Sequence, residues 1–294
     1  MKITDSLNRI LPSNTRHPSA RPINTFMNRT LVSHHPLSDA ERGLHQDEFF
    51  FLLQPKFALQ AFDLSGFECL IRWQHPERGV LEPVSFISMV EDSFLAGRFT
   101  ELLVRLATRT LAQWTAAGHD ALSLAINLSS LELGQADFPE QLSTLLASHD
   151  LDPRRLEIEL TDAVAPDRLD WLVEAIHAAQ TVGVRVALDD FGAGFNSLTL
   201  LQQLPVDIVK FDRSLIRDVP HNGESARVVE TLVHLAKDHG KRIVISGIET
   251  AAQLDWATAL PGVEGQGFYL GEPLPEQDIE AFITRCSRHA HSRM

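Results

Sequence analysis

Two cysteines, Cys69 and Cys286, in 294 residues are too few for a disulfide framework or a thiolate metal site. No apolar run approaches the length that crosses a bilayer. The opening MKITDSLNRILPSN lacks the uninterrupted apolar segment of a secretory signal, so a cytoplasmic protein without a membrane span is expected. Positive charge is also scarce: 26 Lys and Arg stand against 39 Asp and Glu, a formal net charge of -13. That balance excludes nucleic acid and anionic membrane surfaces as nonspecific partners. A small anionic ligand is still compatible, provided that an Arg, a Lys or a bound metal supplies local positive charge.

What the chain has is apolar residues, at 44%, enough for one barrel-sized domain or two ordinary ones. Residues 1–38 differ from the rest. They carry five basic residues (Lys2, Arg9, Arg16, Arg21, Arg29) against Asp5, a net +4 that leaves -17 for the remainder, together with four prolines. This composition predicts a flexible basic arm that could dock a protein partner, followed by a folded domain over 39–288 and a tail over 289–294.

Strand-like runs recur at 49–53, 67–73, 122–128, 156–160, 184–188, 206–211, 243–246 and 263–269. Helical patterns lie between them. Leu169, Leu172, Val173 and Ile176 form one, opened by Pro166 and closed by Gly183; Val228, Leu232 and Leu235 form another, ending at Gly240. Eight strands alternating with helices predict a (β/α)8 TIM-like barrel, with a doubly wound sheet as the alternative.

Polar residues fall repeatedly at the strand ends. Asp189 and Asp190 close an apolar run before Phe191-Gly192-Ala193-Gly194, and adjacent carboxylates need a raised pKa, a cation or a metal to offset their repulsion. Glu68 and Arg72 lie in the second run, Asn127 ends the third, Glu159 and Asp162 end the fourth, and Lys210 and Asp212 end the sixth. In a parallel barrel these ends share one mouth. Hard oxygen ligands suit Mg2+ or Mn2+, and the shortage of Cys argues against zinc.

These segments resemble the EAL family of bacterial cyclic di-GMP phosphodiesterases over about residues 40–288. The signature appears as Glu68-Cys69-Leu70, followed by Ile71-Arg72-Trp73-Gln74-His75-Pro76; further family segments are Gln54-Pro55, Asn127-Leu128-Ser129, Asp189-Asp190-Phe191-Gly192, Lys210-Phe211-Asp212, Gly247-Ile248-Glu249-Thr250 and Gln266-Gly267-Phe268. The resemblance implies an EAL-type barrel with one early strand antiparallel to the others. It implies that Glu68, Asn127, Glu159 and Asp189 hold a first divalent metal, with Asp189 and Asp190 serving a second, and that a water between the metals opens cyclic di-GMP to linear pGpG. Lys210 would orient that water, with Glu68, Asp189 and Asp190 completing the catalytic set. Gln54, Leu70, Arg72, Asp212 and Gln266 would contact the substrate, and Ca2+ would inhibit. A homodimer is a further expectation.

The chain departs from the family pattern at two positions. Ser246 stands where the resemblance implies a glutamate that serves as second-metal ligand and proposed base, and losing a positioned base costs about 10²- to 10⁴-fold in rate. Glu249 is retained. Asp162 replaces a common Glu and supports the Asp189-Asp190 loop with one methylene less. Two functions follow: a phosphodiesterase of weakened activity, which the near-complete ligand set favours, or an inactive receptor that binds cyclic di-GMP or a protein partner.

Overall fold

Residues two apart along a strand share a face, and this chain uses that alternation to fill a barrel with polar side chains at both ends. The computed structural model describes residues 36–160, 168–193, 197–219 and 221–291. Its strands are β1 (Phe49–Ala58), β2 (Asp63–His75), β3 (Gly79–Leu81), β4 (Ser123–Leu128), β5 (Leu156–Leu160), β6 (Arg185–Phe191), β7 (Ile208–Phe211), β8 (Arg242–Ile245), β9 (Glu264–Gly265) and β10 (Leu274–Pro275). The pairing order β1-β9-β8-β7-β6-β5-β4-β2, closed by β1 against β2, makes an eight-strand barrel, with β3 and β10 as outer additions. The TIM-like expectation holds, and the doubly wound alternative does not.

β1 is the antiparallel strand. It pairs antiparallel with both β2 and β9, whereas the pairs from β2–β4 round to β8–β9 are parallel. Gln54 lies opposite Glu68 in the β1–β2 register. Because β1 runs the other way, Gln54 precedes Lys56 in sequence and yet lies nearer the C-terminal ends of the parallel strands.

Helices α1 (Pro36–His45), α2 (Ile87–Glu91), α3 (Ala96–Ala116), α4 (Ser130–Leu133), α5 (Phe138–Ser148), α6 (Leu169–Val182), α7 (Ser197–Gln203), α8 (Arg213–Ile216), α9 (Gly223–Asp238), α10 (Ala251–Ala259) and α11 (Glu276–His291) surround the barrel. In α3 the buried residues Phe99, Leu103, Ala107, Leu111 and Trp114 recur at helical spacing, which lays one stripe on β4. The predicted helix after Arg168 forms as α6 and stops at Gly183, whose φ of 106° is open to glycine. The first described helix begins at Pro36, and Ala40 within it is fully buried. The preceding residues 1–35 and Asp162 lie outside the described residues.

The polar caps at the mouth come from the loops that leave the strands. Ser129 and Glu132 form a capping box at the start of α4, Thr250 and Gln253 form another at α10, and the Asp212 carboxylate accepts the Ser214 N–H at the start of α8. Ser129 and Asp212 directly follow β4 and β7, and Thr250 lies five residues past β8, so these caps fix the direction in which the chain leaves the mouth.

Candidate metal centre

Each of the eight barrel strands, or the residue that extends it, contributes one polar side chain to the same layer: Gln54 from β1, Glu68 from β2, Asn127 from β4, Glu159 from β5, Asp189 from β6, Lys210 from β7, Ser246 after β8 and Gln266 after β9. The Lys210 ammonium is at the centre of their contacts. Its Nζ donates to Glu159 Oε2 at 2.5 Å, Asp189 Oδ2 at 3.1 Å and Glu68 Oε2 at 3.2 Å. Asn127 Nδ2 donates to Glu68 Oε1 at 3.0 Å, which leaves the Asn127 carbonyl oxygen as a further donor atom for a cation. Gln266 Nε2 bridges Glu68 Oε2 at 2.8 Å and Gln54 Oε1 at 3.0 Å, and Gln54 Nε2 is anchored on the Gly271 carbonyl.

Burial makes this charge arrangement demanding. Burial pushes the Glu68 carboxyl upward, but the Lys210 ammonium and the Asn127 and Gln266 amides outweigh it and hold the group at about 2. For Glu159 burial dominates, and repulsion by Glu68 and Asp189 adds to it, so the carboxyl is driven well above its usual range. Burial also opposes the Lys210 charge, yet Glu159, Glu68 and Asp189 together raise its pKa. Burial and mutual repulsion thus work against ionising Glu159 beside Glu68 and Asp189; with all three ionised around one ammonium the excess would be two negative charges, the charge of a divalent cation. Oxygens of Glu68, Glu159 and Asp189 lie within 4.8 Å of one another, a spacing open to a shared ion, and every donor is a hard oxygen. The side-chain oxygen Gln266 Oε1 is buried with no hydrogen-bond partner among the described residues, a second sign that the layer is built around something further.

The remaining sequence-predicted residues are distributed around this layer. Asp190 is exposed, with φ of 51°, and its N–H donates to Asp189 Oδ1 at 2.8 Å, so the pair splits, one carboxylate in the layer and one outside it. Burial and then the Asp189 charge raise the Asp190 pKa. Leu70 lines a mainly apolar cavity of about 450 Å³ that also reaches Asn127, Ile87 and Asp92. Arg72 is half-buried and donates to the Ile71 carbonyl at 2.9 Å; among the described residues no hydrogen bond ties it to the carboxylates. Asp212 and Glu249 line a polar groove with Arg213, Arg217 and Gln253 beside the mouth. Ser246 Oγ is buried, with no hydrogen-bond partner among the described residues.

Sequence reading missed a second polar layer. Two residues below the first, Lys56 is fully buried and paired with Glu157, Arg242 bonds Glu157 Oε1 at 3.0 Å and pairs with Glu264, and Ser65 Oγ donates to Glu264 Oε2 at 2.9 Å. Ala187, Ile208 and Val244, each two residues before a member of the first layer, form a small buried apolar cluster. The signal was present: in Leu156-Glu157-Ile158-Glu159-Leu160 the two glutamates share a face.

Comparison with known proteins places these features. The family model described as EAL domain matches residues 37–273. The bifunctional diguanylate cyclase/cyclic di-GMP phosphodiesterase MucR of Pseudomonas aeruginosa is 31% identical over 247 residues, covering 84% of this chain and 36% of MucR. A second cyclic di-GMP phosphodiesterase of that organism is 31% identical over 250 residues, covering 85% of this chain and 42% of its own length. The chain thus spans between a third and somewhat under half of these curated relatives. Among solved structures, the MucR phosphodiesterase in complex with c-di-GMP superposes with a TM-score of 0.76 at 31% identity, covering 83% of this chain and 99% of that one. The FimX EAL domain of Pseudomonas aeruginosa bound to c-di-GMP, at 22% identity and a TM-score of 0.74 over 82% of this chain and 96% of its own, shares the fold. No helix among the described residues is long and apolar enough to cross a membrane. With its barrel, its Glu68-Cys69-Leu70 signature in β2 and its acidic mouth, the chain belongs to the EAL domain family, whose curated members include cyclic di-GMP phosphodiesterases.

Proposed function

We propose that this chain hydrolyses cyclic di-GMP to linear pGpG with Mg2+ or Mn2+, at a rate reduced by Ser246. The observation that carries the reading is the convergence of Glu68, Glu159 and Asp189 on the Lys210 ammonium, with Asn127 alongside. Glu68, Asn127, Glu159 and Asp189 would hold the ion, with Asp190 next to them. A divalent cation held there lowers the pKa of water and stabilises charge on attacking and leaving oxygens.

In the reaction a water oxygen bonds to phosphorus, the bond from phosphorus to one ribose oxygen breaks, and the proton from water ends on the released hydroxyl. Lys210 supplies fixed positive charge next to the reacting phosphate, where charge builds in the transition state. Arg72 faces the other anionic part of the ligand, and Gln54, Leu70, Asp212 and Gln266 shape the rest of the site. Ca2+ accepts looser coordination than Mg2+ and is expected to support binding without turnover.

Ser246 favours a second reading, in which the barrel binds cyclic di-GMP and signals without cleaving it, as a homodimer or through a protein held by the N-terminal arm. A neutral hydroxyl takes no proton from water at neutral pH. The test is incubation of purified protein with cyclic di-GMP and Mg2+ or Mn2+, with pGpG followed by chromatography and binding by calorimetry. Product formation that Asp189→Asn abolishes supports the enzyme; saturable binding with no product under either metal selects the receptor.

A further inference from the structure

We infer that the mouth takes a single divalent cation, on Glu68, Asn127, Glu159 and Asp189, and that a notch between Ser246 and Gln266 holds water where a second cation would need a carboxylate. The inference rests on the metal-dependent reading above and concerns the number of ions, which that reading leaves open.

Ser246 and Gln266 are neighbours by register. Ile245 lies opposite Gly265 in the parallel β8–β9 pair, and the Gln266 N–H donates to the Ile245 carbonyl at 2.9 Å. Each of the next residues has a buried side-chain oxygen without a hydrogen-bond partner among the described residues, Ser246 Oγ and Gln266 Oε1. Gln266 is only 3% exposed, and its amide is fixed because Nε2 is held by both Gln54 Oε1 and Glu68 Oε2. Its carbonyl oxygen therefore keeps one direction. Leaving a buried polar group unsatisfied costs about 1–3 kcal/mol, and a water molecule, with two donors and acceptor capacity, satisfies both a carbonyl and a hydroxyl oxygen.

A second cation would have less to hold it. Ser246 and Gln266 are both neutral, and a divalent ion gives up its hydration shell for carboxylates far more readily than for two neutral oxygens. The Asp189 carboxylate already accepts from Lys210 on Oδ2 and from the Asp190 N–H on Oδ1. Asp190 and Glu249 are exposed, and the Glu249 backbone is tied to Gln253 Oε1 at 2.8 Å. Among the described residues the only group of three acidic, His or Cys ligands gathered at one point is Glu68, Glu159 and Asp189.

The test uses the full chain freed of metal and titrated with Mn2+ alone, reading bound ions by calorimetry and the ion environment by electron paramagnetic resonance. The expected result is one ion per chain with the resolved hyperfine signal of an isolated Mn2+. Ser246→Ala should keep that stoichiometry, whereas Ser246→Glu should take two ions whose spins couple and broaden the signal, since paired sites lie about 3.5–4 Å apart. Two tight ions with a coupled spectrum in the unaltered protein would overturn the inference. Binding of no ion overturns both this inference and the phosphodiesterase reading, while one ion without any turnover removes only the latter. If Ser246→Glu fails to fold, the stoichiometry of the unaltered protein decides alone.

Discussion

Glu157 and Glu159 stand two residues apart on one face of β5, and each holds a buried lysine: Glu157 binds Lys56 toward the floor of the barrel, and Glu159 binds Lys210 at the mouth. The two pairs look alike but differ in what surrounds them. Glu157 has Arg242 as a second cationic partner, so the floor is self-neutralising. Glu159 shares its lysine with Glu68 and Asp189, so the mouth is short of positive charge. One strand thus holds a lysine at the floor and another at the mouth, in opposite charge surroundings.

Removing a carboxylate at the mouth should cost metal and not the fold. Asp189→Asn is expected to abolish measurable Mn2+ binding by calorimetry while leaving the circular dichroism spectrum and urea midpoint unchanged or slightly raised, because one member of a mutually repelling set has been neutralised. Unchanged Mn2+ affinity would place the ion elsewhere.

The floor should behave oppositely. Lys56→Met leaves Glu157 buried with one partner fewer, and breaking a buried pair in this way costs about 3–5 kcal/mol. Urea unfolding measures it. A loss below about 1 kcal/mol would mean that Arg242 and Arg185 together suffice for Glu157.

The same pair sets an acid limit. Burial raises the Glu157 pKa, but Lys56 and Arg242 outweigh it and bring the folded value to about 2 from an ordinary 4.5. Above 4.5 the carboxylate is ionised in the folded and unfolded chain alike and its stabilisation is complete. As pH falls from 4.5 toward 2 the unfolded chain takes up the proton first, and that stabilisation is lost. Urea midpoints measured across this window should fall, and more steeply than in Glu157→Gln; equal slopes would show that other carboxylates govern acid stability.

Arg72 should matter for ligand and not for metal. Hydrogen bonds to charged groups contribute about 1.5–3 kcal/mol, so Arg72→Ala is expected to weaken cyclic di-GMP binding about tenfold or more in Ca2+, with Mn2+ affinity unaltered. Equal affinity for the dinucleotide would remove Arg72 from the ligand.

Ser246 should limit rate. Ser246→Glu is expected to raise pGpG formation by a factor on the order of 10² by restoring a base. Brisk turnover in the unaltered protein that the change leaves untouched would assign proton removal to another group, such as Glu249.

Much of this was legible because strand chemistry is periodic. Alternation and motif put Glu68 inside the second strand and Asn127, Glu159, Asp189 and Lys210 at strand ends, and all five meet in one layer. Less legible was where regular pairing stops. The run 263–269 reads as a strand, but only Glu264–Gly265 pairs, because Gly267 turns at φ of 156° against the Ile248 backbone, where a Cβ would lie 2.2 Å from its carbonyl oxygen. Conversely, β1 continues through Pro55 to Ala58, past the predicted end at Leu53; a register shift between Lys56 and Phe57 sits beside the residue that lacks a donor. The floor layer was hidden for a different reason. Lys56 meets Glu157 only across the closed barrel, and Arg242 meets Glu264 only once β8 and β9 pair, so no local pattern in the sequence ties them together.

The reversed direction of β1 also decides from which side the barrel can be steered. Phe49, its first residue, lies opposite Trp73 near the end of β2, so the strand starts at the mouth and runs toward the floor. Helix α1, only a few residues earlier, contacts α2 and α3, and α2 contributes Ile87 and Glu91 to the cavity beside Leu70 and Asn127. Pro36, where the described residues begin, is therefore one helix away from that cavity on the rim of the mouth. A displacement of α1 would reach that cavity through α2, without being relayed across the body of the barrel.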